Sequence, residues 1–417
     1  MTESTTMIQN DAVAFGVLMA SLAFVFWTSS RGGQGWQRFY AVVPALLLCY
    51  LIPGLFNTFG VIDGENSKLY PVARDYLLPT ALVLLTMGSD IPGMLRLGPK
   101  ALVMFATGTL GVMIGAPIAL WILGAYDAEL MRASGDDAAW KGMATLAGSW
   151  IGGGANQAAM KEVFEVDTQI FAKFVAVDVI VANIWTATLF WIAGNTQWID
   201  RKFGADTSAI DTLRQKLSDY QEQTAKIPTL ADIMVVLGVG FTITAFAHAC
   251  AGVIAPWIEA HFPGLAQLSL TSKFFWVVVI ATALGVCLSF TKARSLDGVG
   301  ASKIGSAALY VLVATIGMHI DVTKVFTDPE LFMLGLVWIS FHAGLMLLMA
   351  KLIRAPMFFM AVGSQANIGG AASAPVVASA FHPALAPVGV LLAVFGYTLG
   401  TAAAFLCGNI LRMMVGG

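Results

Sequence analysis

The chain has few charged residues: Asp, Glu, Lys and Arg make up 12% of its 417 residues, and the formal net charge is -2. It contains no block of Lys and Arg, which a phosphate-binding surface needs, so nucleic acid is not expected as a partner. It also lacks a GxxxxGK[ST] loop and an HExxH motif, which argues against an ATP-driven pump and a zinc protease. We therefore expect neither an enzyme nor a bound organic cofactor.

Cysteine is scarce as well. The four cysteines lie in apolar stretches without CxxC spacing, so neither a disulfide framework nor a cysteine metal site is indicated. No Lys or Arg precedes the first apolar run, which is the wrong start for a cleavable signal peptide. We interpret residues 11–28 as a true membrane span.

Hydrophobic residues are abundant, at 58% of the chain, and the mean hydropathy is +0.77. This composition predicts an all-α polytopic protein that spans the lipid bilayer several times. We expect a multi-pass protein of the plasma membrane, namely a bacterial inner membrane. Twelve apolar segments can be drawn, near residues 11–28, 39–56, 72–89, 101–124, 142–160, 169–194, 230–250, 273–290, 303–320, 331–350, 355–380 and 383–411.

The two halves of the chain resemble each other. Ile151-Gly152-Gly153 is matched by Ile368-Gly369-Gly370, and other matched positions keep a spacing of about 215 to 230 residues, as in duplicated transporters. We predict a first repeat over residues 1–194, a polar cytoplasmic linker over 195–229 and a second repeat over 230–417. The linker shows helical spacing of apolar residues from Ile210 to Tyr220, which predicts a short amphipathic helix.

Each half carries one glycine-rich stretch, GSWIGGGANQ at Gly148–Gln157 and GSQANIGGAA at Gly363–Ala372. Opened backbone at membrane depth is tolerated only where protein buries it or where it lines a wet cavity. Single glycines in membrane helices usually serve close packing. Two matching clusters that also hold Ser, Asn and Gln favour a binding site instead.

The path of these two stretches determines the topology. If each crosses the membrane, the chain has twelve crossing segments and parallel repeats. If each dips in and returns, each half has five transmembrane helices and the repeats are inverted. The positive-inside rule does not separate the two topologies, because both give almost the same division of Lys and Arg between the two sides of the membrane. We prefer two inverted repeats of five helices, each with a Gly-rich re-entrant or broken segment, and with the N-terminus outside; a pseudo-two-fold then brings the two tips together at mid-depth.

These GGGAN and SQANIGGA elements, with the chain length and spacing, resemble the YjcL-like family of membrane proteins named for unknown function. The architecture is also similar to the sodium:glutamate and 2-hydroxycarboxylate symporters, in the group that includes bile-acid symporters and cation/proton antiporters. This resemblance implies a scaffold part, a mobile transport part and alternating access. It is a likeness of architecture and carries no substrate with it.

The polar residues of the two stretches are the candidate ligands. Their oxygens can coordinate Na⁺, and the N-terminal ends of half-helices point N–H groups at an anion. The alternative is hydrogen bonding between helices, at about 0.6 kcal/mol per contact. The predicted substrate- and ion-binding residues are Ser149, Gly152, Gly153, Gly154, Asn156, Gln157, Asp178, Asn183, Ser364, Gln365, Asn367, Gly369, Gly370 and Ser373, with Na⁺ placed at Asn156, Asn367 or Asp178.

Asp178 is the most informative charge. It lies near the middle of the apolar segment from 169 to 194, with Asn183 five residues after it and Lys173 five before it. An ionised carboxylate at that depth costs a few kcal/mol unless it is paired, hydrated or protonated. We expect it to bind the coupling ion or a proton. The structural alternatives are a salt bridge to Lys173 or a position on a water-filled face.

These features predict an ion-coupled secondary transporter of a small organic solute, an anion or an amino-acid-like compound, that works by alternating access. Na⁺ is favoured over H⁺ as the coupling ion, because hydroxyl and amide ligands outnumber buried acids at the glycine-rich stretches. The main alternative is a monovalent cation/proton antiporter that uses Asp178. A receptor or assembly scaffold stays open, as does a homodimer.

Overall fold

The computed structural model describes residues 7–31, 33–43, 45–64, 66–88, 97–206, 227–268, 270–324, 327–382 and 385–416. The described residues form helices joined by loops, and the β-bridge recorded among them joins Ile8 to Ile62. The prediction of an all-α polytopic membrane protein is confirmed. The predicted amphipathic helix near residues 210–220 lies outside the described residues.

The helices of the first half are bounded as follows: α1 Asp11–Ser29, α2 Gln34–Val42, α3 Ala45–Thr58, α4 Leu69–Val72, a π-helical stretch Ala73–Leu77, α5 Leu78–Met87, α6 Pro99–Gly124, α7 Ala139–Gly152, α8 Gly154–Val163, α9 Thr168–Gly194 and α10 Thr196–Phe203. The elements from α4 to α5 follow one another without a break. The predicted segment 39–56 is divided between α2 and α3.

The helices of the second half are α11 Leu230–His261, α12 Lys273–Ser289, α13 Ala301–Gly317, α14 Pro329–Leu352, α15 Met357–Ile368, α16 Gly370–Phe381 and α17 Ala386–Met414. Among the described residues, six helices are long and apolar enough to cross a membrane by themselves, namely α1, α6, α9, α11, α14 and most of α17.

Local sequence determines where both halves begin. Asn10 caps α1, because its side-chain oxygen accepts hydrogen bonds from the backbone N–H groups of Ala12 and Val13. Thr229 and Asp232 form a reciprocal capping box at the start of α11. The caps satisfy N–H groups that have no partner inside the helix.

Hydrogen bonds between loops gather one set of helix ends on a common face, here called the N-terminal face. Asp11, at the start of α1, accepts a hydrogen bond from Ser67 at 2.7 Å, just before α4. The side chain of Gln169, at the start of α9, donates to the carbonyl of His319 after α13 at 3.1 Å. The amide of Asn57, near the end of α3, donates to the carbonyl of Ile320 at 3.3 Å, and the β-bridge between Ile8 and Ile62 joins the residues before α1 to those after α3. The end of α3 therefore lies with the starts of α1, α4 and α9 and the end of α13.

A second set of helix ends forms the opposite face, here called the linker face. Lys100, at the start of α6, contacts Asp206 after α10 at 3.0 Å. Asp200 of α10 accepts the backbone N–H of Met357 at 2.8 Å. Burial raises the pKa of Asp200, although hydrogen bonds from Met357 and Thr196 act to lower it. These contacts tie the end of α9 to the start of α6 and to the start of α15.

The two glycine-rich segments return to the face from which they enter. The ring of Trp140, at the start of α7, packs edge-on against Phe164, just after α8, with centroids 5.8 Å apart. The rings of Phe358, near the start of α15, and Phe381, at the end of α16, also pack edge-on, with centroids 5.6 Å apart. Each pair of arms is therefore a re-entrant hairpin: hairpin 1 is α7 with α8, and hairpin 2 is α15 with α16.

The two hairpins enter from opposite faces. Hairpin 1 opens on the N-terminal face and hairpin 2 opens on the linker face, so each half contributes five crossings and one hairpin. The packing between halves is reciprocal, since α12 packs against α5 as α3 packs against α13. This is the inverted arrangement, and the alternative of twelve crossing segments is wrong.

The hairpins occupy the centre of the helix bundle. Every residue of α15 is buried, and so is every residue of α7 except Lys141. Helix α11, in contrast, is mostly exposed and lies at the periphery. Because interrupted backbone needs burial in protein at membrane depth, the hairpins can turn only in this central position.

Candidate functional site

The tips of the two hairpins meet inside the molecule. Gly153 separates α7 from α8 and has φ +80°, and Gly370 begins α16 with φ +59°. A Cβ atom placed on Gly370 would lie 3.9 Å from the Cα atom of Gly153. Both glycines adopt a conformation that L side chains rarely adopt, so the turn itself requires glycine. The predicted meeting of the tips is observed.

Other predicted glycines serve close packing. A Cβ atom on Gly152 would lie 2.8 Å from the Cα atom of Gly400 in α17. On Gly369 it would lie 2.3 Å from the Nε2 atom of Gln365. Gly154 is different, because its nearest neighbour there is Leu309 at 3.7 Å. The glycine-rich stretches thus combine the packing function and the turn function.

Asp178 faces hairpin 1 and is buried, with 7% of its surface exposed. The hydroxyl of Ser149 donates to one carboxylate oxygen at 2.5 Å, and the indole N–H of Trp150 donates to the other at 2.8 Å. No Lys or Arg of the described chain lies within ion-pair distance of this carboxylate. A buried carboxylate with hydrogen-bond donors but no cation is suited to receive a cation or a proton.

The predicted alternative for Asp178, a salt bridge to Lys173, is wrong. Lys173 pairs with Asp328, which precedes α14 on the N-terminal face. Partial burial acts to raise the pKa of Asp328, but hydrogen bonds from Lys173 and Thr327 outweigh it, so the pKa lies below its usual value. Lys173 and Asp178 are five residues apart on α9, which corresponds to a rotation of about 140° around the helix axis. Their side chains therefore point in different directions.

The two asparagines hold the hairpin tips to the opposite repeat. Asn156 donates to the carbonyl of Gly152 at 2.9 Å and accepts the hydroxyl of Thr401 at 2.6 Å. Asn367 donates to the carbonyl of Gly363 at 2.9 Å and accepts the hydroxyl of Thr109 at 2.8 Å. Both amides are fully buried. These contacts match the predicted alternative of hydrogen bonding between helices.

The glutamines beside them have unused hydrogen-bonding groups. Gln157 is fully buried, and neither atom of its amide has a partner among the described residues. Gln365 donates to Thr186 at 2.9 Å and to Ser373 at 2.7 Å, while its Oε1 atom has no partner in that part of the chain. Buried polar atoms without partners are rare and costly, which marks both amides as groups that a ligand can satisfy.

Ser364 belongs to a hydrogen-bonded chain that sequence reasoning did not find. The indole N–H of Trp185 donates to its hydroxyl oxygen at 2.8 Å. That hydroxyl contacts Nε2 of His342 at 2.8 Å, and Nδ1 of His342 contacts the carbonyl of Gly108 at 3.1 Å. Since a carbonyl can only accept, Nδ1 of His342 carries a proton and donates to Gly108, and the hydroxyl of Ser364 links this histidine to Trp185.

The remaining predicted residue, Asn183, is not brought to this cluster. It lies half-buried on α9, about 140° around the helix from Asp178. Trp185, seven residues after Asp178, lies on nearly the same helix face as the aspartate and reaches hairpin 2. Counting helix turns from Asp178 was the signal that could have selected Trp185 over Asn183.

The architecture defines the class: a polytopic membrane protein built of two inverted repeats whose re-entrant hairpins meet at a polar centre. The profile of the family described as "Protein of unknown function (DUF819)" matches residues 16–414. The chain belongs to this family. It is also similar to the "Uncharacterized membrane protein YjcL" of Bacillus subtilis (strain 168), with 24% identity over 366 residues, which cover 85% of this chain and 86% of that protein. The resemblance to YjcL-like proteins is confirmed.

Proposed function

We propose that this protein is a secondary transporter that couples the movement of a small organic solute to an ion gradient and works by alternating access. The proposal rests on the meeting of two oppositely inserted hairpins at Gly153 and Gly370. Beside them lies the buried carboxylate of Asp178, for which the described residues supply no cationic partner. Helices that break at mid-depth, in corresponding positions of inverted repeats, are where secondary transporters bind substrate and ion.

We assign the coupling ion to Asp178 and Ser149, and favour Na⁺. Both residues offer oxygen atoms, which are suitable ligands for a hard cation. The solute lies nearer the tips, where the buried amides of Gln157 and Gln365 have atoms to spare and the N-terminal ends of α8 and α16 present backbone N–H groups. That combination suits an anion or an amino-acid-like compound.

Reconstitution tests this proposal. Proteoliposomes that hold the purified protein would be given labelled amino acids and small carboxylates, with an inward Na⁺ gradient. We expect one solute to accumulate above its external concentration, and to stop accumulating when Na⁺ is equal on both sides or is replaced by choline. Absence of solute flux under both Na⁺ and H⁺ gradients would contradict the proposal.

A second candidate is a monovalent cation/proton antiporter. It is favoured by the same feature of Asp178, because one carboxylate without a fixed cation can bind either a proton or a metal ion. A pH-sensitive dye inside the proteoliposomes separates the two. Alkalinisation driven by Na⁺ or K⁺ without any added solute would support the antiporter.

For either candidate, transport involves no covalent chemistry, and the protein acts in the plasma membrane as a multi-pass protein.

A further inference from the structure

A polar cavity of about 560 Å³ opens on the N-terminal face, away from the hairpin tips. It lies where α4 with the adjoining π-helical stretch, the returning arm of hairpin 1, α11 and α12 meet. Its size falls in the range of small-molecule sites. It is lined by charged and polar groups that include Tyr70, Arg74, Asp75, Lys161, Glu162, Glu165, His248 and Lys273.

Its inner wall is a fixed network of charges. Lys161 is 5% exposed, and its ammonium donates to the hydroxyl of Tyr70 at 2.8 Å and to Glu162 at 3.3 Å. Glu162 also accepts the hydroxyl of Tyr70 and lies 3.8 Å from a guanidinium nitrogen of Arg74. An ammonium has three N–H donors, and the described chain supplies acceptors for two. One donor of Lys161 is available to a ligand.

Its rim carries two further charges of opposite sign. Glu165 follows hairpin 1 and has φ +49°, an unusual conformation for a residue with a side chain. Lys273 is the first residue of α12. Both are exposed, and no ion pair is recorded for either within the described ranges. The cavity therefore presents an unpaired anion and an unpaired cation.

The lining holds side chains of both signs, which determines the class of ligand that fits. The cationic side chains are Arg74, Lys161 and Lys273, and the acidic ones are Asp75, Glu162 and Glu165. A simple anion would meet the carboxylates without compensation, and a simple cation would meet the ammonium and guanidinium groups. A molecule that carries both charges satisfies both sets.

We propose that this cavity is a loading site for a small zwitterion, such as a free amino acid. The ammonium group of the ligand contacts Glu165, and its carboxylate contacts Lys273 and the remaining donor of Lys161. The proposal rests on the proposed transport function, because the returning arm of hairpin 1 connects this cavity to the tips. It assigns to the transporter a solute class and a point of entry.

The test is equilibrium binding to the purified full-length protein in detergent, measured by isothermal titration calorimetry. The first probes are the free L-amino acids. For the amino acid that binds most tightly, two analogues are then measured: the amine without the carboxylate group and the acid without the ammonium group. We expect both analogues to bind roughly tenfold more weakly or worse, since the acid loses the contact of the ammonium with Glu165 and the amine loses the contacts of the carboxylate with Lys273 and Lys161. If no amino acid binds, or if an analogue binds as tightly, the proposal is overturned.

Variants at the rim locate the site. We expect Glu165→Gln and Lys273→Gln each to weaken binding of the amino acid by roughly tenfold. Glu165→Gln should leave the affinity of the acid analogue unchanged, and Lys273→Gln that of the amine analogue. Both side chains are exposed, so folding should be preserved. The matched controls are Glu259→Gln and Lys292→Gln, which are exposed charges outside the cavity and should bind as wild type.

Failure of this proposal and failure of the transport function give different results. Amino-acid flux in proteoliposomes together with wild-type affinity in both rim variants would refute the loading site and leave transport standing. Binding that both rim variants weaken, with no flux under any gradient, would refute transport and leave the binding site standing.

Discussion

Single polar residues at the hairpin tips fall into two groups. Asn156 and Asn367 have their amides engaged by a carbonyl of their own hairpin and a threonine of the other repeat. Asp178 and Gln157 have capacity left for a ligand. All four were predicted ligands, because residue type and depth can be taken from the sequence, whereas the partner of each side chain depends on packing.

The first residue-scale prediction concerns the coupling ion. In Asp178→Asn the carboxylate charge is lost with little change in volume, and Ser149 and Trp150 keep a polar neighbour. We expect gradient-driven accumulation of solute in proteoliposomes to be abolished, while exchange of solute across the membrane persists. The control is Lys173→Gln, whose ammonium pairs with Asp328 instead. Full ion-driven accumulation in Asp178→Asn would remove the carboxylate from coupling.

The second residue-scale prediction concerns Asn156. Thr401→Val keeps the shape of the side chain but removes the hydroxyl that donates to Asn156 at 2.6 Å. A buried acceptor that loses its partner costs about 1–3 kcal/mol, so we expect a lower midpoint in thermal unfolding of the purified protein. Solute affinity in the folded fraction should be unchanged. Weaker binding without loss of stability would instead make this pair part of the solute site.

At the scale of elements, the close approach of hairpin arms depends on small residues. A Cβ atom on Gly148 of α7 would lie 2.7 Å from the backbone oxygen of Asn156 in α8. Backbone cannot yield as a flexible side chain does, so the arms would have to separate. Hairpin 1 therefore depends on glycine at two positions: Gly148 lets the arms approach closely, and Gly153 forms the turn.

This contact makes Gly148→Ala a direct test of the hairpin. We expect it to destabilise the protein by about 1–3 kcal/mol through overpacking, seen as a lower midpoint in thermal unfolding. The control is Gly344→Ala in α14, where a Cβ atom meets nothing within 4 Å and better helix propensity should leave stability unchanged or slightly raised. Equal effects of the two substitutions would argue that the arms do not pack as described.

In the whole molecule, the inverted repeats place corresponding loops of the two halves on opposite faces. Gly33 follows α1 on the linker face, and Gly264 follows α11 on the N-terminal face. Both are exposed. The orientation prediction with the N-terminus outside assigns the linker face to the cytoplasm.

Cysteine labelling in intact cells tests that orientation. In a background that lacks Cys49, Cys250, Cys287 and Cys407, we expect Gly264→Cys to react with a membrane-impermeant maleimide and Gly33→Cys to be shielded until the cells are lysed. The reverse labelling pattern would mean that the protein has the opposite orientation, with the N-terminus in the cytoplasm. Labelling of both in intact cells would contradict the assignment of the two loops to opposite faces.

Several properties of this protein follow from composition and local pattern along the chain. Apolar runs predicted the membrane spans, the matched glycine clusters predicted two repeats with interrupted segments, and the depth of Asp178 predicted a buried carboxylate. These features can be recognised without knowing which helix is next to which, because the bilayer imposes the same demands on every segment. The predicted boundaries of the two repeats and of the linker stay predictions.

The path of the glycine-rich segments and the partners of the polar side chains depend instead on how the helices pack in three dimensions. The distribution of Lys and Arg did not separate crossing from returning segments, whereas the ring contacts of Trp140 with Phe164 and of Phe358 with Phe381 require a return. The pairing of Lys173 with Asp328 and of Asn156 with Thr401 joins residues far apart in the chain. Such contacts are set by how helices pack around the centre, and that geometry is not contained in the spacing of residues along one helix.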